Sequence, residues 1–235
     1  MRDSEQSAGG YLLSPGERHW CGMQPIHPSE SILAVSGESD FGELLRAIAI
    51  HDHDAALALL TEFPSLSTTS LARRYEFFLA ERMAQIYEGD TALHAAGFSY
   101  DSAMARALIA RGADIRARNR RGAEPLHAAV IGNPNSPTWN PADQCQIIEL
   151  LVASGADPNA TAAGGVTPLH RAVRNRCSAA VETLLRAGAN PRLPNDSGST
   201  AADLAASTTG RGGSGSAEAK AEQRIILDVL DVSLD

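Results

Sequence analysis

Thr91-Ala-Leu-His94-Ala-Ala, Glu124-Pro-Leu-His127-Ala-Ala, Thr167-Pro-Leu-His170-Arg-Ala and Thr200-Ala-Ala-Asp203-Leu-Ala are copies of one short unit, and their starts lie 33, 43 and 33 residues apart. A unit returning at such a period marks a stack of small supersecondary elements, each unable to bury its apolar face alone. The tails keep the same phase: Ala110-Arg-Gly112-Ala-Asp114, Ala153-Ser-Gly155-Ala-Asp157 and Ala187-Gly188-Ala-Asn190 close Leu/Ile-rich runs. Head to glycine is 21 residues in the first and third copies and 31 in the second. The second copy therefore holds about ten extra residues between head and tail, with the register intact on both sides.

The heads resemble the T-P-L-H-x-A signature of the ankyrin repeat family, here a bacterial-type ankyrin domain with loop insertions. The resemblance is strong over residues 91–196 and degenerate over 197–230, where Asp203 replaces the histidine and Ala202 the leucine. It implies an all-α solenoid of turn-plus-helix-turn-helix units with N- and C-terminal capping repeats, hairpin fingers, and a concave face of short inner helices. The implied units are an N-cap at 41–66, repeats at 89–121, 122–164 and 165–197, and a C-cap at 198–233, making 39–235 a single domain. The family's head histidine bonds within and between neighbouring repeats, so His94, His127 and His170 are implied to be structural.

Each part of the unit has a physical reason. Thr91 and Thr167 are placed to cap an inner helix, and Pro125 and Pro168 fit a first turn where no amide partner is lost. Leu93, Leu126 and Leu169 point into the stack, while the alanines beside them let helices approach to roughly 8–10 Å. Gly112, Gly155 and Gly188 stop the outer helices in the left-handed conformation that other residues resist. With 43% hydrophobic and 5% aromatic residues, the chain favours thin layers of small side chains over one large aromatic core.

No apolar run approaches the ~18 residues of a bilayer span, and the N-terminus has no basic region followed by an apolar core; a cytoplasmic monomer without membrane contact is expected. Cys21, Cys145 and Cys177 lack CxxC spacing and read as free thiols. The net charge of −8 is unevenly spread: residues 91–198 carry 8 acids and 11 bases, while the flanks hold 20 acids and 9 bases. Acidic flanks and the lack of an aromatic stacking platform argue against nucleic acid.

Outside the repeats, residues 1–38 read as a flexible tail, in which His19, Cys21 and His27 lack the spacing of a metal site. Phe41 to His51 and Asp54 to Leu60 read as a helical pair capping the stack. His51-Asp52-His53-Asp54 between them reads as a solvated turn with an Asp helix cap, with a proton relay or metal site as the alternative. Tyr75, Phe78, Leu79, Met83 and Ile86 fall at helical spacing, which predicts an inserted amphipathic helix over 70–88, laid against the stack.

Two expansions interrupt the inner-to-outer helix turns. In the second repeat, prolines and asparagines around Trp139 prevent helix, and the indole either pins this loop to the scaffold or anchors a partner. In the last, Gly210-Arg211-Gly-Gly-Ser-Gly has no P-loop lysine or preceding strand, so it reads as a flexible loop, or as an anion-holding lid with Arg211 over Arg176.

No nucleophile with a base and orienting acid is indicated, and no cofactor or metal is expected. The leading reading is a non-enzymatic interaction module. Its specificity positions, carried over from the family's variable surface, are Phe98, Ile131, Arg171, Arg174 and Asn175 on the inner helices and Arg116, Arg118, Asn119, Arg120 and Arg121 at a finger. The partner implied is a protein presenting acidic and apolar groups. The second reading is a sensor of a small anionic ligand held by Trp139, Arg176 and Arg211.

Overall fold

The computed structural model describes residues 36–72, 75–82, 84–134, 136, 139–206 and 216–234. Of the tail expected over residues 1–38, residues 1–35 with His19, Cys21 and His27 lie outside the described residues, whereas residues 36–38 are helical; the glycine-rich loop reading with Arg211 also lies outside the described residues.

Among the described residues ten α-helices come in consecutive pairs: α1 (Ser36–Ala49) with α2 (His53–Glu62), α3 (Ala92–Ser99) with α4 (Ser102–Ala110), α5 (Pro125–Ala129) with α6 (Pro141–Ala153), α7 (Pro168–Arg174) with α8 (Ser178–Arg186), and α9 (Ala201–Ala206) with α10 (Ala217–Leu234). The first members pack in one row, α1 on α3, α3 on α5, α5 on α7 and α7 on α9. The later second members pack in another, α4 on α6, α6 on α8 and α8 on α10. Each pair thus buries its neighbour, which lets a core rich in alanine and leucine suffice.

The inner helices begin where their sequence says they must. Thr167 Oγ1 accepts from the His170 amide, and proline occupies the first turn of α5 and α7 without losing an amide partner. Every residue of α3 and α5 is buried. Gly97 permits their contact: a Cβ there would stand 2.8 Å from the Pro125 carbonyl oxygen. Outer helices stop at Gly112, Gly155 and Gly188, whose φ values of 86°, 107° and 91° are costly for residues with a Cβ.

The inner-to-outer turns follow a different rule. At three of them a residue with a side chain takes the left-handed conformation: His51, Tyr100 and Arg176, with φ of 60°, 59° and 58°. Two of these side chains reach to the next turn in the stack. Tyr100 donates its hydroxyl to the Ile131 carbonyl, and His51 approaches Asp101. Here tertiary contact offsets a local cost that glycine would have avoided.

The inserted segment is not the helix expected over 70–88. It is a two-stranded antiparallel hairpin, β1 (Phe77–Leu79) with β2 (Ala84–Ile86), pairing Phe77 with Ile86 and Leu79 with Ala84 across a short 3₁₀ turn at Ala80–Arg82. Its base is closed by Leu71 and Asp90: the Leu71 amide donates to the Asp90 carbonyl and the Gly89 amide to that of Leu71. Leu79 and Ile86 face the core, and Phe78, between Phe77 and Leu79 in the alternation, is exposed. The turn is anchored by Arg82, whose Nε donates to the Ala49 carbonyl at the end of α1, where a cation meets the negative helix terminus.

Candidate functional site

The finger turns and inner helices are held in register by one repeated device. In each of the three histidine-bearing heads the backbone amide of the capping residue donates to the imidazole Nδ1 three residues on: Thr91 to His94 at 3.1 Å, Glu124 to His127 at 3.2 Å and Thr167 to His170 at 3.3 Å. Because Nδ1 accepts, the proton sits on Nε2, and Nε2 donates to a carbonyl of the next finger: Ala123, Val166 and Ser199. Each imidazole is a neutral cross-link between repeats. Burial pushes all three down in pKa, His127 to about 3, with the Arg171 charge adding to the effect.

Asp203 stands in the same position of the last unit and accepts from the Thr200 amide and hydroxyl, both at 2.8 Å. These bonds hold its carboxyl below the ordinary value. A carboxylate reproduces the cap but has no donor for a following finger.

The fingers are also joined by backbone bonds: Arg120 amide to Glu88 carbonyl, Ala163 amide to Arg121 carbonyl, and Asp196 amide to Gly164 carbonyl. Within this frame lies an open groove of about 570 Å³. Its floor is the inner helices, with Phe98, Ala128 and Ile131; its walls include Tyr87 and Gln85 of the hairpin segment and Val166 of a finger. Arg121, Arg171, Arg174 and Asn175 line the same groove.

The structure separates the predicted contact residues into two sets. Arg121, Arg171, Arg174, Asn175, Phe98 and Ile131 come together in the groove, Ile131 being 42% exposed. Arg171 donates to the His127 carbonyl, and burial together with the Arg121 and Arg174 charges lowers it to about 10, leaving it charged at neutral pH. Among the described residues no carboxylate forms an ion pair with these three arginines.

The finger positions of the other set are engaged by the chain itself. Arg118 pairs with Glu124 at 3.0 Å, Arg120 with Glu76, and Arg116 donates to the Gly155 carbonyl. Asn119 belongs to the finger but also lines the groove. It is buried there: its Nδ2 donates to Asp90 Oδ1, and its Oδ1 accepts from the Arg121 and Ala123 amides, which closes the finger turn. Tyr87 and Gln85 were not among the predicted residues, since a helix over 70–88 conceals their place on the groove wall. Tyr87 is the face on which Arg120 and Arg121 rest, 5.0 and 4.9 Å from the ring centroid.

Of the loop candidates, Trp139 and Arg176 lie among the described residues and Arg211 does not. Trp139 packs against the core and donates its indole N–H to Gln144 at 2.9 Å, so it pins its own loop. Gly132 makes room for this: a Cβ there would stand 2.5 Å from the Cys177 sulfur and 2.8 Å from the indole nitrogen. Arg176 is buried, with Nε lacking a hydrogen-bond partner. Cys145 and Cys177 are free thiols, and burial pushes Cys177 up to about 12, which makes it unreactive. No described helix is long and apolar enough to cross a membrane.

Comparison with known families agrees with the geometry. A model described as "Ankyrin repeat" matches residues 88–120 and 121–163, and one described as "Ankyrin repeats (many copies)" matches 150–205. Together they span half of the chain. No curated protein matches it.

Proposed function

Because the chain belongs to the ankyrin repeat family, whose members are typically non-enzymatic protein-interaction modules, we propose that its groove binds an extended acidic and apolar segment of a partner protein. The observation that carries this reading is the set of three groove arginines without an ion-paired carboxylate among the described residues. Charges already paired offer little to a partner, whereas a guanidinium with no carboxylate on it forms bidentate bonds to an incoming one. Beside it, Ile131 and Phe98 offer apolar surface to a neighbouring side chain of the same segment.

Arg118 and Arg120 leave the binding set on this reading, and their role is to stiffen the finger. Binding is steered electrostatically, so the association rate falls with salt more than the dissociation rate rises.

Peptide display against the intact chain tests the proposal, with Arg121→Glu/Arg174→Glu as the counter-selected variant and thermal midpoint as the control for folding. Selected peptides are expected to combine Asp or Glu with an apolar residue and to lose binding at least about tenfold on the variant. Peptides that bind both proteins equally, or binding indifferent to salt, would overturn it.

A further inference from the structure

On the helix-turn side, away from the groove residues, the turn between α1 and α2 brings His51 and His53 to Asp101, the N-cap residue of α4. His53 Nε2 lies 2.8 Å and His51 Nδ1 3.6 Å from Asp101 Oδ2, and the three donor atoms all fall within 4.8 Å of one another. We propose that His51, His53 and Asp101 form a binding site for a divalent transition-metal ion of zinc type, tying the N-terminal helical pair to the first repeat.

The chemistry of the donor set fits such an ion. Two imidazole nitrogens and one carboxylate oxygen are borderline ligands that suit zinc, and three protein ligands leave a fourth position for water. Bonds of about 2.0–2.1 Å in tetrahedral geometry set ligand atoms about 3.3 Å apart. The His51 contact is already near that spacing, and the His53 contact must open by about half an ångström for an ion to enter. Both imidazole side chains are 41% exposed, so they have room for this adjustment and access to solvent.

The supports of the ligands are already in place. Asp101 is buried and its two oxygens are divided in function: Oδ1 accepts from the Met104 amide at 2.9 Å, capping α4, which aims Oδ2 at the imidazoles. Metal-binding carboxylates are usually oriented by such a second bond. His51 is held in the left-handed conformation by the end of α1, its amide donating to the Ile48 carbonyl. Asp52 between the histidines accepts from the Ala55 amide and caps α2, so both flanks of the His-x-His turn are fixed. The charge of Arg82 acts on Asp101 and opposes a bound cation. Asp52 and Asp54 in the same turn supply negative charge against it.

The third ligand lies 48 residues from His53, which is why the His-Asp-His-Asp turn alone reads as a solvated loop. Without an ion, the same groups make a hydrogen bond that pins two helix pairs together. The test therefore separates metal binding from simple pinning.

Metal-free full-length protein is titrated with zinc chloride by calorimetry and thermal unfolding, and with cobalt(II) by absorption. One equivalent of zinc is expected to bind and raise the unfolding midpoint. Cobalt should show four-coordinate bands without thiolate charge transfer. His53→Gln and Asp101→Asn, the latter retaining a residue that caps helices, should each weaken zinc binding about tenfold or more. A His19→Gln/His27→Gln variant should bind as the parent does. Absence of zinc stabilisation in the parent overturns the proposal, as does zinc affinity unchanged in His53→Gln and Asp101→Asn.

Discussion

His127 shows how one side chain sets a property of the whole protein. Its Nδ1 accepts from the Glu124 amide and its Nε2 donates to Val166, so a proton added at Nδ1 would face another N–H. Its pKa is about 3 in the fold, against about 6.5 for a free imidazole. Between those values the unfolded chain binds the proton and the native chain does not. The stabilisation is therefore complete above about pH 6.5 and is lost progressively as pH falls towards 3. His94 and His170 shift in the same direction. The denaturant midpoint should accordingly fall between pH 7 and pH 5. His127→Gln should be less stable than the parent at pH 7 yet lose about one proton from the slope of stability against pH. An unchanged slope would refute the neutral cross-link.

At the scale of elements, the inserted hairpin shows where periodicity is ambiguous. Leu79 and Ile86 are seven residues apart, which is two helical turns. They are also consistent with two strands folding back so that both face the core, and the Phe77-Phe78-Leu79 run favours a strand. What decides between them is the frame: Leu71 and Asp90 pair at the base, and Arg82 meets the end of α1 at the tip. The alternation makes a sharp prediction. Leu79→Ala should cost about 2–4 kcal/mol by denaturant unfolding, because a buried side chain leaves a cavity. Phe78→Ala, at a residue 53% exposed, should stay within about 0.5 kcal/mol. Comparable losses at both positions would contradict the hairpin.

For the whole molecule, the mostly helical stack fits an ankyrin solenoid, in which each layer depends on its neighbours. Its interior is unequal along the chain. Every residue of α3 and α5 is buried, whereas α10 carries exposed Ile225 and Leu227. Native-state hydrogen exchange should show α3 and α5 amides opening only with global unfolding, and α10 opening by a smaller, local event. Equal protection in α10 and α5 would count against a graded stack. The head spacings, capping residues, prolines and helix-stopping glycines were legible from the sequence because they act through bonds a few residues long or recur in every copy. Phe98, Ile131, Arg121, Arg171 and Arg174 came from the family resemblance as contact candidates, and they line one groove. Tertiary structure decided what no local rule reaches: which arginines the chain pairs with its own Glu76 and Glu124 and which line the groove without an ion pair among the described residues, that Asn119 turns inward to Asp90, that Phe77–Leu79 pairs with Ala84–Ile86 as a hairpin, and that Asp101 meets two histidines about fifty residues away. Those outcomes depend on contacts between repeats, whose distances in space bear no fixed relation to their separation along the chain.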